Sequence, residues 1–297
     1  MITFAGFSKR SSGIIRGQQI SEIIPHSDFV DIDFPIDPKN EIVIHVRKFN
    51  EDYARYCKLN NLIVGFDIAD NPVTDYLYGR VKEDDFSRYT SKFCDFYIVN
   101  NDICKEELSK VTDKKIYVIP HHNCNFSKRI NELKERPINL GYVGVPEYTL
   151  NEKSLQDFCS KQNLTFTSYN PQNHYELDSV FKKIDIGIIF FEKESINSGV
   201  YQRTIRYKPN TKLTNFQSYG VPTICLPYES YKQFGEDKCI FVENFDSLKQ
   251  TIIDLQNDLD AYSSLSKESI KVGEKYHISK IKDYYDQIIK DFCEKFN

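Results

Sequence analysis

Short apolar runs alternate with segments of helical period along this chain, and they do so twice over. That alternation limits the fold more than any other feature of the sequence. Runs of about 4–8 residues rich in Ile, Val, Phe or Tyr are the mark of buried strands. They are predicted at Ile2–Phe7, Ile42–Val46, Leu62–Asp67, Phe96–Val99, Ile116–Ile119, Leu140–Val145, Ile184–Phe191, Thr223–Leu226 and Cys239–Val242. Helical spacing lies between most of them. Ile14, Ile15, Gln18, Gln19 and Ile23 form one such face, Tyr53, Tyr56, Cys57 and Leu59 a second, and Leu177, Val180, Phe181 and Ile184 a third. Strands and helices in alternation make parallel sheets covered by helices, so the expected class is α/β. The polar stretch 125–137, NFSKRINELKERP, interrupts the pattern and ends in a proline, and a fresh strand follows it. Two α/β lobes are therefore expected, over 1–130 and 138–275. The tail 276–297 repeats Ile278, Ile281, Tyr284, Tyr285, Ile288, Ile289 and Phe292 at helical spacing and is expected to be a helix packing across the lobes.

Composition narrows the function classes. Lys plus Arg number 39 and Asp plus Glu 43, a formal net charge of −4, which speaks against nucleic-acid binding through bulk positive charge. No stretch approaches the roughly 18 apolar residues of a membrane-crossing helix. The start, MITFAGFSKRSSGIIRG, lacks the apolar core and cleavage pattern of a secretory signal. The eight cysteines include no C-x-x-C pair, and the nearest two, Cys94 and Cys104, are 10 apart. Such spacing offers neither a zinc ribbon nor a disulfide framework. Buried, reduced thiols in a cytoplasmic protein are expected.

The chemistry concentrates in 203–227, RTIRYKPNTKLTNFQSYGVPTICLP. Asn210 or Thr211 suits an N-cap, Leu213, Phe216 and Gln217 share a helix face, and Gly220 fits the position after the helix, before Pro222 and a strand. Arg203, Arg206, Lys208 and Lys212 thus gather where a short helix starts. Unpaired N–H groups and partial positive charge at that end suit a phosphate, and the cations complete a diphosphate site without a metal. A solvated basic turn is the other reading of the same spacing.

Lys212-Leu213, Asn215 and the run Gly220-Val221-Pro222-Thr223-Ile224 resemble the donor-site helix and following strand of the GT-B glycosyltransferases. Other segments fall in matching order. Cys94–Asn100 is similar to an N-lobe strand that precedes a helix, and Ile116–Asn123 to the last N-lobe strand with its exit loop. Gly141–Gly144 resembles the first C-lobe strand, and Asp185–Ile188 the strand before the donor loop. The resemblance implies two Rossmann-like lobes facing a cleft, an acceptor on the first and a donor on the second. It implies transfer of a sugar from a diphosphate-activated donor, such as a nucleotide-sugar, to a saccharide or lipid-linked saccharide. Capsule or lipopolysaccharide assembly is the implied setting, at the inner face of the membrane with peripheral association, without cofactor, metal or nucleic acid. On this resemblance the donor's diphosphate and sugar would be held by Arg206, Lys208, Thr211, Lys212, Thr214, Asn215, Gly144, Ser198, Gly199 and His121. One departure stands out. Retaining members carry two glutamates eight apart around this helix, and the matching positions here hold Tyr207 and Asn215, which leaves nucleotide and stereochemistry open.

Further candidates lie at other predicted strand ends. The loop Ser8–Gln19 leaves a strand and opens a helix. In it Ser12 and Gly13 turn the chain, Gly13 permits close backbone approach, and Arg16 sits in the first turn. By spacing alone this is an ordinary strand–turn–helix connection, and the G-x-G-x-x-G fingerprint is absent; the resemblance implies contact with donor or acceptor. Asp67 and Asp70 stand where open α/β sheets deliver side chains to a ligand. A carboxylate there can take the proton of an attacking hydroxyl, and Asp70 lies further past the strand, although Asp70-Asn71-Pro72 is also turn chemistry. His121 and His122 are neighbours in an extended segment, so their side chains point apart and suit a metal poorly. A hydrogen bond to donor sugar or phosphate, or a structural role, is expected of them. His45 is a weaker candidate. The polar loop Glu192–Tyr201 carries Ser198 and Gly199. No Gly-x-Ser-x-Gly elbow or P-loop occurs. A glycosyltransferase with Lys212 and Asp70 or Asp67 in catalysis is the expectation. The alternatives are a sugar-nucleotide epimerase on the same scaffold and a non-catalytic glycan- or nucleotide-binding component.

Overall fold

The computed structural model describes residues 2–9, 11–33, 40–69, 92–134, 137–144, 152–170, 176–190, 207–235 and 238–293. The chain divides into two units, Met1–His121 with Arg206–Pro209 and Ile278–Asn297, and His122–Ile205 with Asn210–His277.

The first unit is built on β1 (Ile2–Gly6), β2 (Asp28–Asp31), β3 (Ile42–Val46), β4 (Ile63–Asp67), β5 (Phe96–Val99) and β6 (Lys115–Val118). Every pairing is parallel, in the order β2-β1-β3-β4-β5-β6. Strands β1, β3, β4 and β5 are buried throughout, which is why they read as unbroken apolar runs. The order reverses between β1 and β3. At such a switch point a doubly wound sheet opens a crevice beyond the carboxyl ends of its strands.

Helix Glu51–Leu59 lays Tyr53, Ala54 and Cys57 on Ala5, Val43 and Val64. Asn50 sets its start by accepting the Tyr53 N–H at 3.1 Å, the bond of a side-chain N-cap. The C-terminal helix Ile278–Cys293 belongs to this unit as well. Its Ile281, Tyr285 and Ile288 are fully buried at helical spacing. Tyr285 meets Phe4 edge-on at 5.5 Å, and Phe292 lies 5.0 Å from Phe96. Gly65 makes room for Phe96, since a Cβ there would stand 2.3 Å from that ring.

The second unit holds β7 (Asn139–Val143), β8 (Thr165–Tyr169), β9 (Ile186–Ile189), β10 (Thr223–Cys225) and β11 (Ile240–Phe241). All pair in parallel, in the order β11-β10-β9-β7-β8. Counted from its own first strand this is the winding of the first unit, with the switch point between β7 and β9. Helix Thr211–Ser218 packs on β9, where a Cβ on Gly187 would lie 2.7 Å from the Phe216 ring. Helix Leu259–Lys275 covers it from another side, so closely that a Cβ on Gly273 would stand 2.5 Å from the Ser218 backbone.

The nine predicted strands are present, with ends shifted by up to two residues. Strands β2 and β8 are additional. Both are sheet edges, partly exposed along their length, so neither makes a continuous apolar run. The stretch 125–137 was expected to link two lobes. Its described part instead belongs to the second unit, where Asn125 donates to the Ser218 carbonyl at 2.8 Å and Asn131 N–H to the Tyr219 carbonyl at 3.0 Å. The first unit ends earlier than expected, at His121, and regains the C-terminal helix. Among the described residues the cysteines are free thiols, and Cys57, Cys94, Cys104, Cys159, Cys225 and Cys239 are buried.

Candidate functional site

In the first unit the chain leaves β1, turns, and enters a helix whose middle, Ile14–Gln18, is a π-helical turn between the short α segments Ser11–Gly13 and Gln19–Ser21. Gly13 is required here, because a Cβ would stand 2.0 Å from the Phe7 carbonyl oxygen. Arg16 leaves the π turn and crosses the carboxyl ends of the strands with 1% of its surface exposed. Its Nε donates to Asp67 Oδ2 at 2.8 Å, and Nη2 lies 2.8 Å from the same oxygen. Nη1 donates to the carbonyls of Ile119 at 2.7 Å and Pro120 at 3.1 Å, where the chain leaves β6. Burial by itself pulls the guanidinium's pKa down, but the charge of Asp67, with Tyr285 beside it, leaves it raised. Burial likewise pushes the Tyr285 phenol up.

This geometry changes the expectation for Asp67. The residue ends β4 as predicted, yet it is 0% exposed, and its other oxygen accepts the Ala69 N–H at 3.0 Å. A base for an incoming hydroxyl has to be reachable, and Asp67 is closed in by Arg16. Asp70 lies outside the described residues. His121 is buried, its Nε2 3.0 Å from the Ala69 carbonyl, while His122 turns its Nδ1 to the Asn123 carbonyl at 2.9 Å. His45 packs between Phe49 and Tyr53 and accepts the Asn50 N–H on Nδ1 at 3.2 Å. Burial pushes its pKa down to about 3, so it is a neutral core histidine.

In the second unit Gly144 and Lys212 meet at the switch point. Lys212 lies in the first turn of Thr211–Ser218 and donates from Nζ to the Tyr142 hydroxyl at 2.6 Å. Gly144 has φ +147°, and a Cβ there would come within 2.9 Å of Lys212 Nζ. Asn210 occupies the N-cap position without capping the helix; its Nδ2 donates instead to Thr214 Oγ1 at 3.3 Å. Thr214 is fully buried and donates to the Asn210 carbonyl at 3.1 Å. Asn215 Oδ1 accepts the Cys124 N–H at 2.8 Å. Thr214 and Asn215, expected to touch the donor, therefore serve the helix and its surroundings. Thr211 is half-buried. Lys208 groups with the first unit, as does Tyr207, which is packed against Phe66 and Tyr97. Arg203, Arg206, Ser198 and Gly199 lie outside the described residues. A cavity of about 30 Å³ lies at the other end of the Lys212 helix, lined by Asn125, Ser218, Gly273 and His277 among others. Among the described residues no three His, Cys, Asp or Glu side chains stand close enough to hold a metal ion. Sequence reasoning missed Tyr142; its one signal was a tyrosine between two glycines at a strand end.

No protein-family model matches the chain, and no curated protein matches it in sequence. Solved structures do match. Anabaena Alr3699/HepE in complex with UDP superposes with a TM-score of 0.64 at 7% identity, over 98% of this chain and 100% of that one. Sucrose-phosphate synthase from Thermosynechococcus elongatus gives 0.64 at 11% identity, over 99% of each chain. The fold is GT-B. A third GT-B match, the GtfA/B complex, has a TM-score of 0.51 at 13% identity over 84% of this chain, which spans 57% of that longer protein. The GT-B winding accounts for both switch points, and for why Lys212 and Gly144 meet across 68 residues of sequence.

Proposed function

We propose that this chain is a glycosyltransferase that takes a sugar from a nucleoside-diphosphate donor. The observation that carries the reading is the Lys212 ammonium, held beside Gly144 at the switch point of the second sheet, in the first turn of a helix. Diphosphate gathers negative charge as its bond to the anomeric carbon breaks, and a cation already fixed there lowers the barrier. Proteins of like fold were solved with UDP, with UDP-glucose, and with UDP and GlcNAc, which makes a uridine nucleotide the first donor to try.

In this proposal a saccharide or lipid-linked saccharide acceptor binds the first unit. Its hydroxyl oxygen bonds to the anomeric carbon while the carbon–phosphate oxygen bond breaks. The proton passes to Asp70 if configuration inverts, or to a leaving phosphate oxygen if it is retained. Asp67 supports this chemistry from beneath, by fixing Arg16. The Lys212 ammonium supplies charge that a metal would otherwise bring, so activity should persist in EDTA. A role in bacterial surface-polysaccharide assembly at the inner membrane face rests on the sequence resemblance. Among the described residues no helix is long and apolar enough to cross a membrane.

The test is a binding and turnover screen against UDP, GDP, CDP and TDP sugars. Ligand at a hundred times its Kd should stabilise the fold by about 2.7 kcal/mol. Lys212→Ala should cut turnover by about 10²-fold or more while leaving the fold intact. Absence of any nucleotide binding would sink the proposal. Binding without transfer would favour the non-catalytic component, and conversion of the sugar without an acceptor the epimerase.

A further inference from the structure

We propose that Tyr142 is a positioning residue that holds the Lys212 ammonium ready for the diphosphate before any ligand arrives. This deepens the nucleotide-donor reading above and rests on it. Tyr142 lies in β7 with 1% of its surface exposed. Phenylalanine would fill that space as well; the hydroxyl is what needs a reason. The hydroxyl accepts from Lys212 Nζ at 2.6 Å, and Nζ stands 4.6 Å from the ring centroid.

Gly144 completes the arrangement. A Cβ at that position would lie 2.9 Å from Lys212 Cε, Lys212 Nζ and the Tyr142 hydroxyl alike. Three atoms from two chain segments converge on a space that only a glycine leaves empty. The end of β7 thus supplies both the oxygen that orients the ammonium and the gap through which the lysine reaches it.

The chemistry of the partner matters. A carboxylate would orient the lysine but also cancel its charge and compete with phosphate. A phenol is uncharged at neutral pH, so this hydrogen bond orients the ammonium without neutralising it. Lysine is a compact cation on a flexible four-carbon stem, and fixing it beforehand removes part of the ordering cost that binding would otherwise meet.

The pair can be read without ligand, from the rate at which an N-hydroxysuccinimide acetate acylates each lysine of the full chain, followed by mass spectrometry. In Tyr142→Phe, acylation of Lys212 should rise about fivefold, the scale of one lost hydrogen bond, while Lys161 and Lys275 keep their wild-type rates. An unchanged rate at Lys212 would overturn the pairing. UDP should protect Lys212 in the wild-type chain. Lack of protection there would overturn the nucleotide reading and the diphosphate part of this inference, whatever Tyr142→Phe does. UDP titrations of Tyr142→Phe, Lys212→Ala and the double variant complete the test. The Tyr142 change should weaken UDP binding about fivefold when Lys212 is present and leave it unaltered when Lys212 is alanine. Equal losses in both backgrounds would mark Tyr142 as merely structural and refute the proposal.

Discussion

Arg16 and Asp67 carry opposite charges with 1% and 0% of their side chains exposed. Inside a protein, breaking such a pair leaves a charge without compensation, which costs about 3–5 kcal/mol, whereas replacing both partners by apolar residues of similar volume is often tolerated. Arg16→Ala should therefore lower the urea midpoint steeply, and Arg16→Met combined with Asp67→Leu should restore most of the loss. His45 gives the pH counterpart. Its folded pKa of about 3 lies below the ordinary 6.5, so below pH 6.5 the unfolded chain binds the proton that the native state refuses. The contribution of His45 to native stability should then fall with falling pH between those values, by about 1.4 kcal/mol per unit, and be constant above 6.5. The stability difference between the wild type and His45→Gln should shrink from pH 7 to pH 5; a difference that stays constant would refute the assignment. Asp67 and His45 were visible in the sequence at strand ends, and Arg16 in the first turn of the helix that follows one. That Arg16 seeks Asp67 was not, because 51 residues separate them and no periodicity encodes the pairing.

The helix that carries Lys212 shows how an element's burial can exceed what its pattern announces. Spacing marked Leu213, Phe216 and Gln217 as the inner face, yet every residue from Leu213 to Ser218 is buried. Thr, Asn, Gln and Ser conceal this in the sequence because they are polar, although the fold covers them on several sides. The glycines are what allow so close a fit. At Gly273 two effects oppose each other. Alanine would gain about 1 kcal/mol of helix propensity, but its Cβ would meet the Ser218 backbone at 2.5 Å, and backbone cannot step aside as a side chain can. Overpacking of about 1–3 kcal/mol should win. Gly273→Ala is expected to lower the unfolding midpoint and to weaken UDP binding by displacing the Lys212 helix; a stabilised variant with unaltered binding would contradict this packing. The edge strands β2 and β8 escaped the sequence reading for the converse reason, since partial exposure breaks up the apolar run by which a strand is recognised.

At the scale of the molecule, the alternation of strand and helix was enough to give two α/β units, because parallel sheets buried on both faces force that composition on a chain. Where the units divide was less legible. A polar stretch looks like a linker whether it is one or lies along a surface, and the stretch from Asn125 onward is tied down by side-chain amides whose partners are distant in sequence. The return of the C-terminal helix to the first unit has a further consequence, for synthesis. Phe4 leaves the ribosome 281 residues ahead of Tyr285, the ring that packs edge-on against it. The second unit has all of its sequence by His277 and can close while translation continues. The first unit has to wait until helix Ile278–Cys293 emerges, because its Tyr285 covers Phe4 and stands beside Arg16 of the buried ion pair.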